Sequence, residues 1–176
     1  MPKTAAAKKP TSESAALQLQ PGAAAPDFDL PASNAALRAD GGGKNITLGD
    51  FKGRKLLIYF YPKDDTPGCT KQACSLSENI SALNKLSMAV VGVSKDSVKS
   101  HDKFVEKFGL KFPLLSDKDG DMCERYGVWG EKKFMGKPYM GITRSCFLVD
   151  EKGKLIAAKY GVKPEEQVEW ATAAAK

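Results

Sequence analysis

Two cysteines, Cys69 and Cys74, stand five residues apart in the stretch Tyr59-Phe60-Tyr61-Pro62-Lys63-Asp64-Asp65-Thr66-Pro67-Gly68-Cys69-Thr70-Lys71-Gln72-Ala73-Cys74. A cysteine reacts as thiolate rather than thiol, so its surroundings decide what it can do. The apolar, aromatic run Leu56 to Tyr61 reads as a buried strand. Pro62 ends it, because proline has no N–H to give to a ladder. Asp64 to Gly68 carry turn chemistry, and from about Gly68 the pattern is helical, with Cys69 in the first turn. There a sulfur faces backbone N–H groups that no helical carbonyl satisfies. Those donors and the positive end of the helix dipole favour a thiolate.

In an ideal helix, residues at that spacing lie roughly 7.5 Å apart along the axis and about 140° apart around it. Their Cα atoms are then separated by about 8–9 Å, whereas a disulfide needs less than about 7 Å. The spacing therefore suggests two states: a folded turn with a free thiolate, and a locally unwound turn with a disulfide.

The frame Pro62-x3-Thr66-Pro67-Gly68-Cys69-Thr70 resembles the peroxidatic motif of the peroxiredoxins. The second cysteine at Cys74 is similar to the branch called bacterioferritin comigratory protein or peroxiredoxin Q. Tyr126-Gly127-Val128-Trp129-Gly130-Glu131-Lys132 and Arg144-Ser145-Cys146-Phe147-Leu148-Val149-Asp150 also resemble that branch, and the likeness spans Pro26 to Trp170. The resemblance implies a thioredoxin-like α/β fold, a mixed central sheet with helices on both faces. It implies that Cys69 is the peroxidatic cysteine, reducing hydrogen peroxide and organic hydroperoxides through a sulfenic acid. Cys74 is implied as the resolving cysteine, closing an intramolecular disulfide that thioredoxin or a similar dithiol protein reduces. A monomer is implied, and neither cofactor nor metal is expected.

Ionising an ordinary thiol completely raises its thiolate fraction at neutral pH by only about 30-fold. Enzymatic accelerations are commonly a million-fold or more, on the order of 8 kcal/mol upwards. Donors aimed at the peroxide oxygens must therefore carry most of the effect. By the resemblance these are the backbone N–H groups of Gly68 and Cys69, the Thr66 hydroxyl, and Arg144 from among Arg38, Arg54, Arg125 and Arg144. Pro62 is implied to shield the sulfur from bulk water.

The other elements must position these residues. Short edge strands are expected at Pro26 to Leu30 and Asn45 to Leu48, as an N-terminal extension, with a flexible turn at Asp40 to Gly43. Strands are expected at Lys55 to Tyr61, Met88 to Ser94 and Phe112 to Leu115. Helices are expected from Thr70 to Leu86, from a cap at Asp96 or Ser97 through Phe108, and from Gly120 to Tyr126. The segment from Val128 to Thr143 reads as glycine-rich and irregular. Arg144 to Val149 and Leu155 to Tyr160 read as a hairpin, and Pro164 as the first helical position of a closing helix. His101, on a helix dense in Lys and Asp, is expected to be solvated. Cys123 and Cys146 read as plain buried residues.

The chain has 176 residues and a formal net charge of +6, consistent with one domain over residues 21–176 and a tail. Residues 1–20, rich in Ala, Lys, Ser and Pro, are too apolar-poor to offset ordering entropy and read as disordered. Ser12 to Gln20 is the one part of the tail with helical character. No apolar run reaches the roughly 20 residues of a membrane span, and no secretory segment opens the chain. An intracellular, cytoplasmic protein is expected, with a nuclear or organellar address in the basic tail as the alternative. Structural zinc wants four ligands in close-spaced pairs, and the chain has neither a C-x2-C pair nor a second histidine. Thioredoxin-type exchange would want C-x-x-C. Nucleic-acid binding by the tail is a weaker reading of the charge.

Overall fold

The computed structural model describes residues 18–33 and 45–176. Of the residues 1–20 expected to be disordered, 1–17 lie outside the described residues, as does the expected Asp40 to Gly43 turn. So does the expected helix from Ser12, except for Gln18 to Gln20, which carry no helix. Where the description begins, the Leu19 N–H donates to Tyr160 Oη at 3.0 Å, and Leu19 packs on the core.

The fold is α/β with a mixed sheet. In chain order the elements are β1 (Asp29–Ser33), β2 (Asn45–Thr47), a 3-10 turn (Leu48–Phe51), β3 (Lys55–Phe60), α1 (Pro67–Glu78), α2 (Ile80–Lys85), β4 (Met88–Ser94), α3 (Val98–Phe108), β5 (Leu114–Ser116), α4 (Asp121–Arg125), β6 (Trp129–Phe134), β7 (Lys137–Ile142), β8 (Ser145–Val149), β9 (Leu155–Tyr160) and α5 (Gln167–Ala174). Seven strands form the main sheet in the order β2-β1-β5-β4-β3-β8-β9. β3, β4 and β5 run parallel, and β8 lies antiparallel on the other side of β3.

β3 is buried from Leu56 to Phe60, so its two faces serve two cores. Leu56, Ile58 and Phe60 join Val91, Tyr126, Phe147 and α4 on one side. Leu57, Tyr59 and Tyr61 join Cys69, Ala73, Leu76, Leu83 and Phe104 beneath α1, α2 and α3 on the other. The parallel β3–β4 pair sets Tyr59 opposite Gly92. A Cβ on Gly92 would lie 2.8 Å from the Tyr59 ring and from Leu114, so only glycine leaves room for that ring.

Several expected elements differ from those observed. The helix expected from Thr70 to Leu86 is two helices broken at Asn79, whose side-chain amide donates to the Ser75 carbonyl at 2.8 Å and competes with the helical ladder. The segment expected to be irregular is the β6–β7 hairpin, registered from Trp129↔Ile142 to Phe134↔Lys137. Its two-residue turn, Met135-Gly136, has positive φ at both positions, 53° and 82°, as a type I′ hairpin requires. The closing helix starts at Gln167, not Pro164. His101 is not solvated but fully buried, because it falls three residues before Phe104 and three after Val98, on the inward stripe of α3.

Candidate active site

The site is built where β3 hands over to α1. Thr66 is the extended residue before the helix, with φ −103° and ψ 156°, and Pro67 opens the helix. Proline suits that position because its fixed φ matches the helix and its missing N–H would have had no partner. Cys69 follows in the first turn and is 2% exposed. The N–H groups of Gly68 and Cys69 belong to that turn, which has no preceding carbonyls to satisfy it. The Thr66 carbonyl accepts from Thr70 N–H at 2.8 Å, closing the first helical bond. Its hydroxyl donates to the Lys63 carbonyl at 2.9 Å, which directs that proton into the loop. Pro62 is exposed.

The loop before α1 is fastened from beneath by Asp64. Its carboxylate accepts from Tyr61 Oη at 2.5 Å and from Ser100 Oγ at 2.8 Å. His101 Nδ1 lies 2.7 Å from Asp64 Oδ2, and Nε2 lies 2.9 Å from the Leu115 carbonyl. The Asp64 N–H donates to Asp96 Oδ2 at 2.8 Å. This buried cluster ties the loop to α3 and to the ends of β4 and β5. Burial, with the nearby Tyr59 and Asp64, pushes the Tyr61 phenol well above the usual range. The sequence signal for His101 was its place on the helical stripe; for Asp64 it was adjacency to the motif alone.

Arg144 reaches the same turn from the start of β8. Its Nη1 donates to Gln72 Oε1 at 2.5 Å. Its Nη2 lies 3.1 Å from where a Gly68 Cβ would be, so glycine makes room for the guanidinium against the turn that carries Cys69. The Arg144 carbonyl accepts from the N–H groups of Gly161 and Val162 at 2.9 and 2.8 Å, which fixes the backbone behind the side chain. Gln72 is fully buried, and its Nε2 has no partner. Sequence reasoning did not single out Gln72, although its position three residues after Cys69 puts it on the adjoining helical face.

Cys74 lies further along the same unbroken helix and is half-buried. Desolvation and the nearby Glu78 push its thiol up. All four cysteines are free. Cys123 and Cys146 are fully buried, and burial drives both thiols far above the ordinary range. Among the described residues, no group of three or more His, Cys, Asp or Glu side chains could hold a metal ion. Among them also, no helix is long and apolar enough to cross a membrane.

The AhpC/TSA family model matches residues 21–158. The chain belongs to the AhpC/TSA family, as a peroxiredoxin. It is 46% identical over 152 residues to a putative Bcp peroxiredoxin of Coxiella burnetii, covering 86% of this chain and 95% of the relative. It is 48% identical over 137 residues to peroxiredoxin Bcp of Escherichia coli, covering 78% and 83%. Peroxiredoxin Q of Xanthomonas campestris superposes with a TM-score of 0.76 at 38% identity, over 90% of this chain and 94% of that one. A second structure, of the same organism's bacterioferritin comigratory protein, is described as giving insight into alkyl peroxide reduction and superposes equally, at 37% identity over 90% and 95%. The mixed sheet is thus the thioredoxin-like fold of a Bcp/peroxiredoxin Q enzyme, and this peroxiredoxin is a peroxide-reducing oxidoreductase.

Proposed function

We propose that Cys69 is the peroxidatic residue and Cys74 the resolving residue of an atypical two-cysteine cycle. The observation that carries this reading is the placing of the Arg144 guanidinium against Gly68, in the turn that holds Cys69. The Cys69 thiolate attacks the terminal oxygen of a hydroperoxide. The O–O bond breaks, the sulfur becomes a sulfenic acid, and water or an alcohol leaves. Arg144 and the Gly68 and Cys69 N–H groups stabilise charge on the peroxide oxygens. Gln72 holds the guanidinium in place, Thr66 sets the entry of the helix, and Pro62 covers the approach.

The Cys74 thiol then condenses with the sulfenic acid, releasing water. Both residues sit in α1, so this step requires the first turn to unwind. A thioredoxin-like dithiol protein reduces the resulting bond by exchange. We infer hydrogen peroxide and organic hydroperoxides as substrates, the latter supported by the alkyl peroxide reduction attached to the Xanthomonas relative. We further propose a monomer acting in the cytoplasm.

Thioredoxin-coupled peroxide consumption tests the reading. Cys69→Ser should abolish consumption. Cys74→Ser should complete one turnover and then stall unless a small thiol is added. Sustained thioredoxin-driven turnover by Cys74→Ser would rule out Cys74 as resolver.

A further inference from the structure

We propose that Gln72 is a positioning residue for the resolving step, its bond to Arg144 latching the helical segment between Cys69 and Cys74. The latch sets how often the oxidised sulfur meets Cys74 before it meets a second peroxide. The assignment rests on the two-cysteine cycle proposed above. Gln72 stands between the two cysteines in α1. Its side chain is fully buried, and its Oε1 accepts from Arg144 Nη1 at 2.5 Å. Both ends of the surrounding segment are fastened elsewhere. Before it, Asp64 is tied to Tyr61, Ser100 and Asp96. After it, Ser77 Oγ accepts from the Lys111 N–H at 3.0 Å. Unwinding is thereby confined to the stretch that carries both cysteines and Gln72.

Arg144 cannot follow Gln72 when the turn opens. Its carbonyl is held by the Gly161 and Val162 N–H groups, and β8 behind it is paired on both sides, with β3 and β9. The bond must therefore break. It is poised to do so, because Gln72 Nε2 is buried without a partner, a cost that exposure to water removes. Two reactions compete for the Cys69 sulfenic acid. In one, the Cys74 sulfur attacks the Cys69 sulfur, the S–O bond breaks, and the hydroxyl leaves as water with the Cys74 proton. In the other, the Cys69 sulfur takes the terminal oxygen of a second hydroperoxide and becomes a sulfinic acid, while water or an alcohol leaves. The first needs the turn open, since an intact helix holds the two Cα atoms too far apart. The second uses the closed turn with its guanidinium in place. A stronger latch therefore favours the second over the first.

The test is the first-order rate of Cys69–Cys74 disulfide formation, read by rapid quenching, alkylation and mass spectrometry. Hydrogen peroxide is set high enough that closure limits the rate. Gln72→Glu keeps the shape, makes the bond charge-assisted and removes the orphaned donor, so closure should slow by about 10-fold and the ratio of sulfinic acid to disulfide should rise. Gln72→Ala loses the bond and should close faster than the unsubstituted protein. In an Arg144→Met background there is no guanidinium to hold, and Gln72→Glu should no longer slow closure. Slowing in that background too would overturn the latch in favour of a packing effect. Should Gln72→Glu fail to fold, the alanine variant decides, and closure no faster than in the unsubstituted protein overturns the assignment. A disulfide that forms at one rate in every variant removes the latch alone. No Cys69–Cys74 disulfide in the unsubstituted protein removes the proposed cycle and the latch with it.

Discussion

Asp64 and His101 meet at 2.7 Å in the interior, the histidine fully buried and the aspartate 7% exposed. Both imidazole nitrogens face oxygen atoms, the Asp64 carboxylate on one side and the Leu115 carbonyl on the other. The pair joins the loop that launches α1 to the body of α3. It therefore gives the turn that carries Cys69 a fixed base.

Removing one partner should be costly, because the other is left buried and uncompensated. Chemical denaturation of His101→Ala should show a loss of about 3–5 kcal/mol. A loss below 1 kcal/mol would mean that water replaces the imidazole and that the anchor is not rigid.

Gly68 separates activity from stability. Alanine is the better helix former, by about 1 kcal/mol in helix interiors, so Gly68→Ala should keep its midpoint of unfolding. Its new Cβ would lie 3.1 Å from Arg144 Nη2 and displace the guanidinium. Displacement of about 1 Å can cost 100-fold, so peroxide reduction should fall about 10- to 100-fold. Full activity with an intact fold would mean that the guanidinium does not work from this position.

At Gly92 the expected outcome is reversed. Alanine there must push aside the Tyr59 ring and Leu114, each 2.8 Å from the new Cβ. Overpacking of this kind costs about 1–3 kcal/mol. Thermal unfolding should therefore shift down in Gly92→Ala, whereas an unchanged midpoint would show that the layer under α1 is loosely packed.

The buried thiols predict an alkaline weakness. Burial raises the pKa of Cys146 and Cys123 in the folded state, and unfolding returns both to the ordinary range near 8.5. Below that range both states hold their protons, and the stabilisation is fully present. Above it the unfolded state releases protons first, so stability falls as pH rises, at about 1.4 kcal/mol per pH unit for each thiol. Urea unfolding between pH 9 and 10 should show a slope shallower by that amount in Cys146→Ala. The same slope in both proteins would contradict burial of this thiol.

How much could be read beforehand follows from what each signal depends on. The strand–proline–turn–cysteine order is local, so the position of Cys69 at the head of a helix was legible. β3, β4 and the β8–β9 hairpin were legible for the same reason, since continuous apolar runs report burial directly. The β6–β7 hairpin was not: its strands are largely exposed, so no apolar alternation marks them, and Gly130, Gly136 and Gly141 read as loop. The turn chemistry at Met135-Gly136 was the available clue. Gln72 was not singled out as a site residue because its bond to Arg144 depends on the start of β8 returning from 72 residues away. His101 was misread because its charged neighbours face solvent while it does not.

Peptide mass spectrometry after one equivalent of hydrogen peroxide, without reductant, is the most direct test of the central claim. The account predicts a single new crosslink joining the Cys69 and Cys74 peptides, absent from Cys69→Ser, with Cys123 and Cys146 still reduced. A stable sulfinic acid at Cys69 with Cys74 left as a free thiol would contradict it.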